Sequence, residues 1–366
     1  MRIAIFHDFF GAIGGGERTA LTLARAWNAP VYTTEVNRAS IQRLGFNDVR
    51  LISLGRVAPT APLKQILASY RFALAHADAD VYVLSGNWAS YAARGHHPNV
   101  MYCYTPVRAF YDTRESILRR QPGAVPRGLV RAWTALHRAA DRLAWTHVDE
   151  VVAISENTRR RIRLYMGRES RVVYPPTEVS RYRFEALDDF WLSVNRLYPE
   201  KRLDLHFEVF RRLPRERLVV VGGYAEGDHA RDYAARLRPP PNVELLGEVD
   251  ESELLRLYAR CRGLVCTAMD EDFGLTPVEA MAAGKVVLAV DEGGFRESVL
   301  PGETGFLLHP DAAAFAETIA SLSTDDLAGR AEACRRRAEM FDVSRFLDGM
   351  RDVLQGAVEG RPPPAV

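Results

Sequence analysis

The sequence predicts an α/β fold made of two doubly wound parallel sheets. Three observations carry that reading. Short continuous apolar runs recur along the chain, such as Ile3–Phe6, Val81–Leu84 and Val286–Ala289, and strands buried on both faces need such runs. Segments of helical spacing separate them, and strand–helix alternation builds a parallel sheet. Polar and glycine residues collect directly after the strands, where active loops of such sheets lie. At 366 residues the chain has the length of two domains.

Composition sets the outer limits. Hydrophobic residues make up 47% and charged residues 26%, with a net charge of +1, so there is apolar material for two cores and no basic excess that would point to nucleic acid. Cys103, Cys261, Cys266 and Cys334 are scattered. No histidine or second cysteine pair stands close enough to complete a zinc pattern, so they read as buried thiols of a reducing compartment. Met1-Arg2-Ile3 runs straight into a strand, and no apolar run is long enough to span a membrane. The expectation is a cytoplasmic chain.

In order, Arg2–Phe6 is the first strand. His7-Asp8 and the glycine loop Phe9–Gly16 follow, then an amphipathic helix from Glu17 to Trp27. Strand, glycine loop and helix form an anion-binding unit, because glycine lets backbone N–H groups approach a phosphate. The loop has neither the Lys-Ser/Thr ending of a P-loop nor the dinucleotide-binding spacing. A plain tight turn stays open for it. Further strands are expected at Pro30–Thr34, Val49–Ser53, Asp80–Ser85, Asn99–Tyr104, Glu150–Ser155 and Arg171–Tyr174. Gly86-Asn87-Trp88 opens a helix, and Thr105-Pro106-Val107-Arg108 follows the Asn99–Tyr104 strand.

Between Arg114 and Trp145 the alternation is interrupted. Apolar residues, including Leu129, Trp133, Leu136 and Leu143, share this stretch with Arg119, Arg120, Arg127, Arg131, Arg138 and Arg142. An arginine-rich amphipathic helix suits anionic lipid head groups. A helix packed on its own domain with solvated arginines is the other reading. With a net charge near zero, this local excess is offset elsewhere and the molecule is polarised.

Tyr174-Pro175-Pro176-Thr177 ends the last strand of the first half, because paired prolines neither join a ladder nor continue a helix. The expected domains are therefore 1–176 and 177–342. A terminal helix and tail, 343–366, follow, with packing back on the first domain as one option. The second half repeats the alternation. Phe190–Val194 ends at Asn195-Arg196, with Lys201 beyond a turn, and Arg217–Val221 ends in Gly222-Gly223. Asn242–Leu246 ends in Gly247-Glu248-Val249. Asp250 with Glu253 has the spacing of a capping box. Lys285–Ala289 leads to Asp291–Glu297, and Thr304–Leu308 is the last strand. Helices are expected at Asp311–Leu322, Asp325–Met340 and Val343–Val353, with a frayed tail from Arg361.

The centre of the second half is Asp270–Glu279. A strand, Gly263–Cys266, runs into a polar loop, Phe273-Gly274 turns the chain, and Leu275–Ala283 is helical. Pro277 lies in the first turn and Gly284 just past the end. Glu271 thus sits at a strand's carboxyl end and Glu279 about two turns deeper, beside an N-terminus suited to an anion. Two carboxylates next to a phosphate site suit a hydroxyl-rich ligand with a diphosphate. Arg196 and Lys201 flank a turn into a helix, so both can reach one diphosphate, the first as a planar fork and the second as a point charge. They can neutralise a leaving diphosphate without a divalent metal, for which the sequence offers no clustered carboxylates.

These residues carry a resemblance. Arg196…Lys201, the Glu271-x7-Glu279 pair around Phe273-Gly274-Leu275, and Gly293-Gly294-x-x-Glu297 resemble the signature of the retaining glycosyltransferases of family 4. The likeness runs from Ile3 to about Leu308 and includes Tyr174-Pro175-Pro176 and Ile154-Ser155-Glu156. It implies the GT-B fold, two Rossmann-like domains facing across a cleft. It also implies that Arg196 and Lys201 bind the donor diphosphate and that Glu271 holds the donor sugar beside Phe273 and Gly274. The N–H groups of Leu275 and Thr276 would cap a phosphate, and Glu279 would accept bonds from ribose hydroxyls. Gly15 and Gly16 would close over the diphosphate, and Gly247 and Val249 would lie at the base. Two departures stand out. Tyr104 occupies the position where many members have a donor-contacting histidine, and Asp272 replaces a small residue.

The expectation is a retaining, metal-independent hexosyltransferase without a cofactor. It would use a nucleotide sugar, GDP-mannose first and a UDP-sugar second, and a glycan or lipid-linked acceptor. A peripheral contact on the inner face of the membrane through 114–145 goes with it, and nucleic acid does not. Charge building on the leaving diphosphate would be stabilised by Arg196, Lys201 and the helix N-terminus. A nucleotide-sugar epimerase of the same fold, a pyridoxal-dependent phosphorylase and a non-catalytic nucleotide-binding protein are the alternatives.

Overall fold

A computed structural model describes residues 1–11, 14–58, 62–119, 123–223 and 230–361. The chain divides into two compact units, Met1–Pro175 with Phe346–Val366, and Pro176–Arg345.

The first unit contains β1 (Ile3–His7), α1 (Gly15–Trp27), β2 (Val31–Thr33), α2 (Arg38–Arg43), β3 (Leu51–Ser53), α3 (Leu63–Ala73) and β4 (Val81–Ser85). A 3-10 helix, Ala89–Gly95, precedes β5 (Asn99–Cys103). Next come α4 (Arg114–Arg119), α5 (Ala124–Trp145), β6 (Glu150–Ala153), α6 (Glu156–Met166) and β7 (Arg171–Val172). The sheet is parallel, in the order β3-β2-β1-β4-β5-β6-β7. From β1 to β3 the chain steps one way, and from β3 to β7 the other. Right-handed crossovers therefore put α1 and α2 on one face and α3, the 3-10 helix, α5 and α6 on the other. The second layer closes over Ala4, Phe6, Tyr82, Leu84, Met101, Cys103, Val151 and Ala153, with Phe72, Ala92, Trp145 and Ile162 from the helices.

The second unit contains β8 (Trp191–Val194), α7 (Leu203–Arg212), β9 (Leu218–Val221), α8 (Ala230–Arg236), β10 (Val243–Gly247), α9 (Glu251–Arg260), β11 (Gly263–Cys266), α10 (Leu275–Ala282) and β12 (Val286–Val290). It continues with α11 (Phe295–Ser298), β13 (Gly305–Leu308), α12 (Ala312–Ser321), α13 (Thr324–Gly329) and α14 (Ala331–Ala338). Its parallel sheet has the order β10-β9-β8-β11-β12-β13. The last helix, α15 (Val343–Glu359), belongs to the first unit from Phe346 on, where its ring meets Tyr102 at 5.6 Å.

Several local expectations need correction. The Arg114–Trp145 stretch is two helices, and its Arg120 lies outside the described residues, as do Ala12 and Ile13 of the glycine loop and the tail 362–366. The helix expected at Asp325–Met340 breaks at Arg330, and α15 extends to Glu359. Asp250 caps α9 by accepting from the Glu253 N–H at 2.9 Å. The carboxylate of Glu253 is drawn to Arg256 instead, at 2.6 and 2.8 Å, because a guanidinium fork outcompetes one backbone N–H. Among the described residues, no helix is long and apolar enough to cross a membrane. All four cysteines are free and buried, and burial pushes the Cys261, Cys266 and Cys334 thiols up to about 12.

Candidate functional site

Strand order reverses between β8 and β11 in the second unit, and loops leaving two such neighbours part around a crevice. The β8 loop carries Arg196, a 3-10 turn at Pro199–Lys201, and Arg202 with φ +51°. The β11 loop carries Thr267 to Asp272. The two are stitched together: Thr267 Oγ1 donates to the Lys201 carbonyl at 2.8 Å, and Met269 N–H to the Glu200 carbonyl at 2.8 Å. This brings Lys201 Nζ to 2.6 Å from Glu271 Oε2, with the side chains 22% and 24% exposed. Arg202 pairs with Glu292 at 3.0 Å, and the other Glu292 oxygen accepts from the Asp270 N–H at 3.2 Å. Arg196 stands over the Tyr198 ring, 5.2 Å from its centroid.

A buried imidazole underlies this arrangement. His206 Nε2 lies 3.0 Å from Ser193 Oγ and 3.2 Å from the Val265 carbonyl, and Nδ1 lies 2.9 Å from Thr267 Oγ1. Burial lowers its pKa, so it stays neutral and ties β8, α7 and β11 together.

The Gly293-Gly294 turn after β12 presses on the same loop. Gly294 N–H donates to the Glu271 carbonyl at 2.8 Å. A Cβ on Gly294 would fall on the Cα of Phe273, 2.7 Å from its carbonyl oxygen and 2.8 Å from that of Asp272. Glycine is required here by close approach, since its φ of −69° is ordinary. Gly274, φ +85°, is the N-cap of α10 and brings no side chain to cap it, and the Leu275 and Thr276 N–H groups head the helix. One turn on, Glu279 Oε2 accepts from the Tyr258 hydroxyl at 2.7 Å. Burial, and then the nearby carboxylate, raise the Tyr258 pKa, so it remains a donor. Gly247 and Val249 follow β10, where the Gly247 carbonyl accepts from the Gly222 N–H at 2.8 Å. Among the described residues, no group of three His, Cys, Asp or Glu is placed to hold a metal ion.

In the first unit, the corresponding reversal lies between β1 and β4. There, His7 Nδ1 is 3.0 Å from Ser85 Oγ, Ser85 Oγ is 2.9 Å from the Tyr104 hydroxyl, and that hydroxyl donates to the Gly16 carbonyl at 2.8 Å. The carbonyl can only accept, so the chain of donors runs His7 to Ser85 to Tyr104 to Gly16. Burial pushes His7 down to about 4, which keeps it neutral. The Tyr104 proton is thus directed at the Gly16 carbonyl. Gly15 and Gly16 are the first residues of α1, and a Cβ on Gly16 would meet the Tyr104 ring at 3.3 Å. Beside them Asp8 accepts from the N–H groups of Asn87, Trp88 and Ala89 at 2.7–2.8 Å. Burial outweighs these three donors and raises its pKa to about 7.

Residues 180–340 match the family described as glycosyl transferases group 1. This segment is similar to a glycosyltransferase domain. Among curated relatives, the Homo sapiens alpha-1,3/1,6-mannosyltransferase ALG2 is 30% identical over 212 residues, 48% of this chain and 50% of the relative. Glycogen synthase of Mycobacterium tuberculosis is 32% identical over 181 residues, 47% of this chain and 44% of the relative. The chain thus spans about half the length of the curated relatives it matches. Among solved structures, Anabaena Alr3699/HepE in complex with UDP and glucose aligns with a TM-score of 0.75 at 21% identity, over 97% of this chain and 100% of that one. The fold is accordingly that of the GT-B glycosyltransferases, and the family 4 resemblance agrees with the group 1 match.

Within the matched segment, Lys201, Glu271, Phe273, Gly274, Leu275 and Thr276 come together at one strand-order reversal. Arg196 stands in the adjoining loop and Glu279 inside α10. Sequence reading missed Arg202, Glu292 and Tyr258, which hold these residues in place. In the first unit it missed the His7–Ser85–Tyr104 chain and Asp8. His7-Asp8 directly after a strand was the one local signal available. In the second unit, a concavity lined by Arg215, Glu216, Arg217 and Glu244 lies at the amino ends of β9 and β10, opposite the functional loops.

Proposed function

We propose that the protein is a retaining glycosyltransferase that moves a hexosyl group from a nucleotide diphosphate sugar to a hydroxyl of a glycan or lipid-linked acceptor. The observation that carries this reading is the Lys201–Glu271 pair beside the N-terminus of α10. A cation and helix N–H groups suit a diphosphate, and the adjacent carboxylate suits sugar hydroxyls. Arg196 and Lys201 stabilise the charge that develops as the bond between the anomeric carbon and the leaving phosphate oxygen breaks. The acceptor oxygen bonds to that carbon from the same face, and its proton passes to the departing phosphate oxygen. Glu279, oriented by Tyr258, holds the ribose, and Gly247 and Val249 lie beside the base. Gly15 and Gly16 approach the diphosphate, with Tyr104 bracing them.

The reading calls for no cofactor and no divalent metal. Mannosyl transfer from GDP-mannose is the first choice, supported by the likeness to ALG2. A UDP-sugar is the second, supported by the UDP and glucose bound to the Anabaena protein. Peripheral contact with the inner face of a membrane through residues 114–145 belongs to the same reading. The test is a thermal-shift and hydrolysis screen over GDP-, UDP-, ADP- and TDP-sugars, followed by product analysis. A stabilising donor that is slowly hydrolysed, or transferred with its anomeric configuration kept, supports the proposal. An epimerised donor, binding without release of the diphosphate, or no binding at all overturns it.

A further inference from the structure

α5 buries one side and carries an apolar stripe on the other. Thr134, His137, Asp141, Ala144 and Trp145 face the unit and are buried. Val125, Leu129, Leu136 and Leu143 are 75%, 68%, 73% and 65% exposed. At helical spacing these four fall within an arc of about 40°, opposite the buried side. α3 repeats the pattern: Leu63, Ile66, Tyr70 and Leu74, just past its end, are 52%, 46%, 60% and 65% exposed. Both helices pack on the 3-10 helix Ala89–Gly95, on one face of the sheet. They hold eight of the fifteen exposed large apolar side chains among the described residues, so these are concentrated and not scattered.

Charge accompanies the stripe. α3 and α5 carry six basic residues, Lys64, Arg71, Arg127, Arg131, Arg138 and Arg142, against one acid, Asp141. Asp141 is buried, and burial raises its pKa to about 7, so it does little to offset the arginines outside. The whole chain has a net charge of +1, so the remainder of the chain is net acidic while α3 and α5 are net basic.

We propose that the outward face of α3 and α5 is a docking surface for an anionic lipid bilayer, with the leucines entering the acyl boundary and the arginines meeting the head groups. Exposed leucine and arginine on a helix that presents no acid outward fit such an interface. A second copy of the chain fits worse, because a twofold contact would set like charges against each other. This extends the membrane contact of the proposed function by adding α3 and an apolar insertion. Its test uses no donor, so the two ideas fail separately.

The experiment is flotation of the full chain with vesicles of phosphatidylcholine alone and of phosphatidylcholine mixed equally with phosphatidylglycerol. Two variants are compared, L129S/L136S/L143S and R127Q/R131Q, each checked by circular dichroism for an unchanged melt. Wild type should float with the anionic vesicles and hardly with the neutral ones. The leucine variant should partition on the order of 100-fold less. The arginine variant should lose roughly tenfold or more, as should wild type in high salt. Failure to bind anionic vesicles, equal binding to neutral ones, or undiminished binding of the leucine variant would overturn the proposal. So would lipid-free self-association in ultracentrifugation that the leucine variant abolishes, which would make the occupant a second copy.

Discussion

Glu271→Gln tests the assignment of the Lys201–Glu271 pair, because it separates phosphate binding from sugar binding. At 2.6 Å the charges attract by about 6 kcal/mol at an effective dielectric near 20. Desolvation of two mostly buried ends consumes most of this and leaves roughly 1–2 kcal/mol. Glutamine removes that attraction from the ligand-free protein, whose melting temperature should fall. A bound diphosphate replaces the lost partner, so GDP or UDP should bind about 5–30-fold tighter than to wild type. The matching nucleotide sugar should gain nothing, since its hydroxyls lose a charged acceptor worth about 1.5–3 kcal/mol. Turnover should fall with it. Calorimetric titration with nucleoside diphosphate and nucleotide sugar measures both effects, with Lys201→Ala as the control that weakens both ligands and cuts turnover by orders of magnitude. If Glu271→Gln weakened the nucleoside diphosphate as much as Lys201→Ala does, the division of roles would be wrong.

Other perturbations reach different parts of the structure. Gly294→Ala should destabilise the second unit by roughly 2–4 kcal/mol in denaturant titration and lower turnover, since the new methyl meets the Phe273 backbone and not a flexible side chain. An unchanged midpoint would show that the loop yields freely. Tyr104→Phe removes the proton given to Gly16 and should cost about 1–3 kcal/mol in urea unfolding. A variant as stable as wild type would mean that the donor chain ends elsewhere. Asp141→Asn tests burial of an acid whose pKa is raised from 3.8 to about 7. The folded state keeps a proton that the unfolded chain releases, so wild-type stability falls as pH rises from about 4 to 7. The variant should match wild type below pH 4 and gain up to about 4 kcal/mol above pH 7. A difference that does not change with pH would refute this.

Much of the fold was legible locally. Strands buried on both faces must be continuous apolar runs, and most expected strands differ from the observed ones only by a residue or two at the ends. Proline and glycine located α10, because Pro277 fits its first turn and Gly284, φ +71°, follows its end. The break of the Asp325–Met340 helix at Arg330 was not legible, because no proline or glycine falls at Arg330 itself and Gly329 alone does not compel a stop. The outward leucines of α5 were also invisible. Its apolar residues occur at helical spacing on two opposite sides, and only packing shows which side the sheet covers.

The sequence by itself determined that Arg196, Lys201, Glu271 and the head of α10 stand at carboxyl ends of parallel strands. Polar residues interrupt a buried apolar strand only where it leaves the sheet, so these places follow from composition alone. Tertiary structure decided the pairing. Glu271 takes Lys201, 70 residues away, and Glu279 takes Tyr258 from the preceding helix. Tyr104 gives its proton to Gly16, 88 residues earlier. Such partners depend on which strands lie side by side, and strand order is set by crossovers that no local spacing records. The chemistry of the site therefore resides in contacts between loops, each of which looks ordinary on its own.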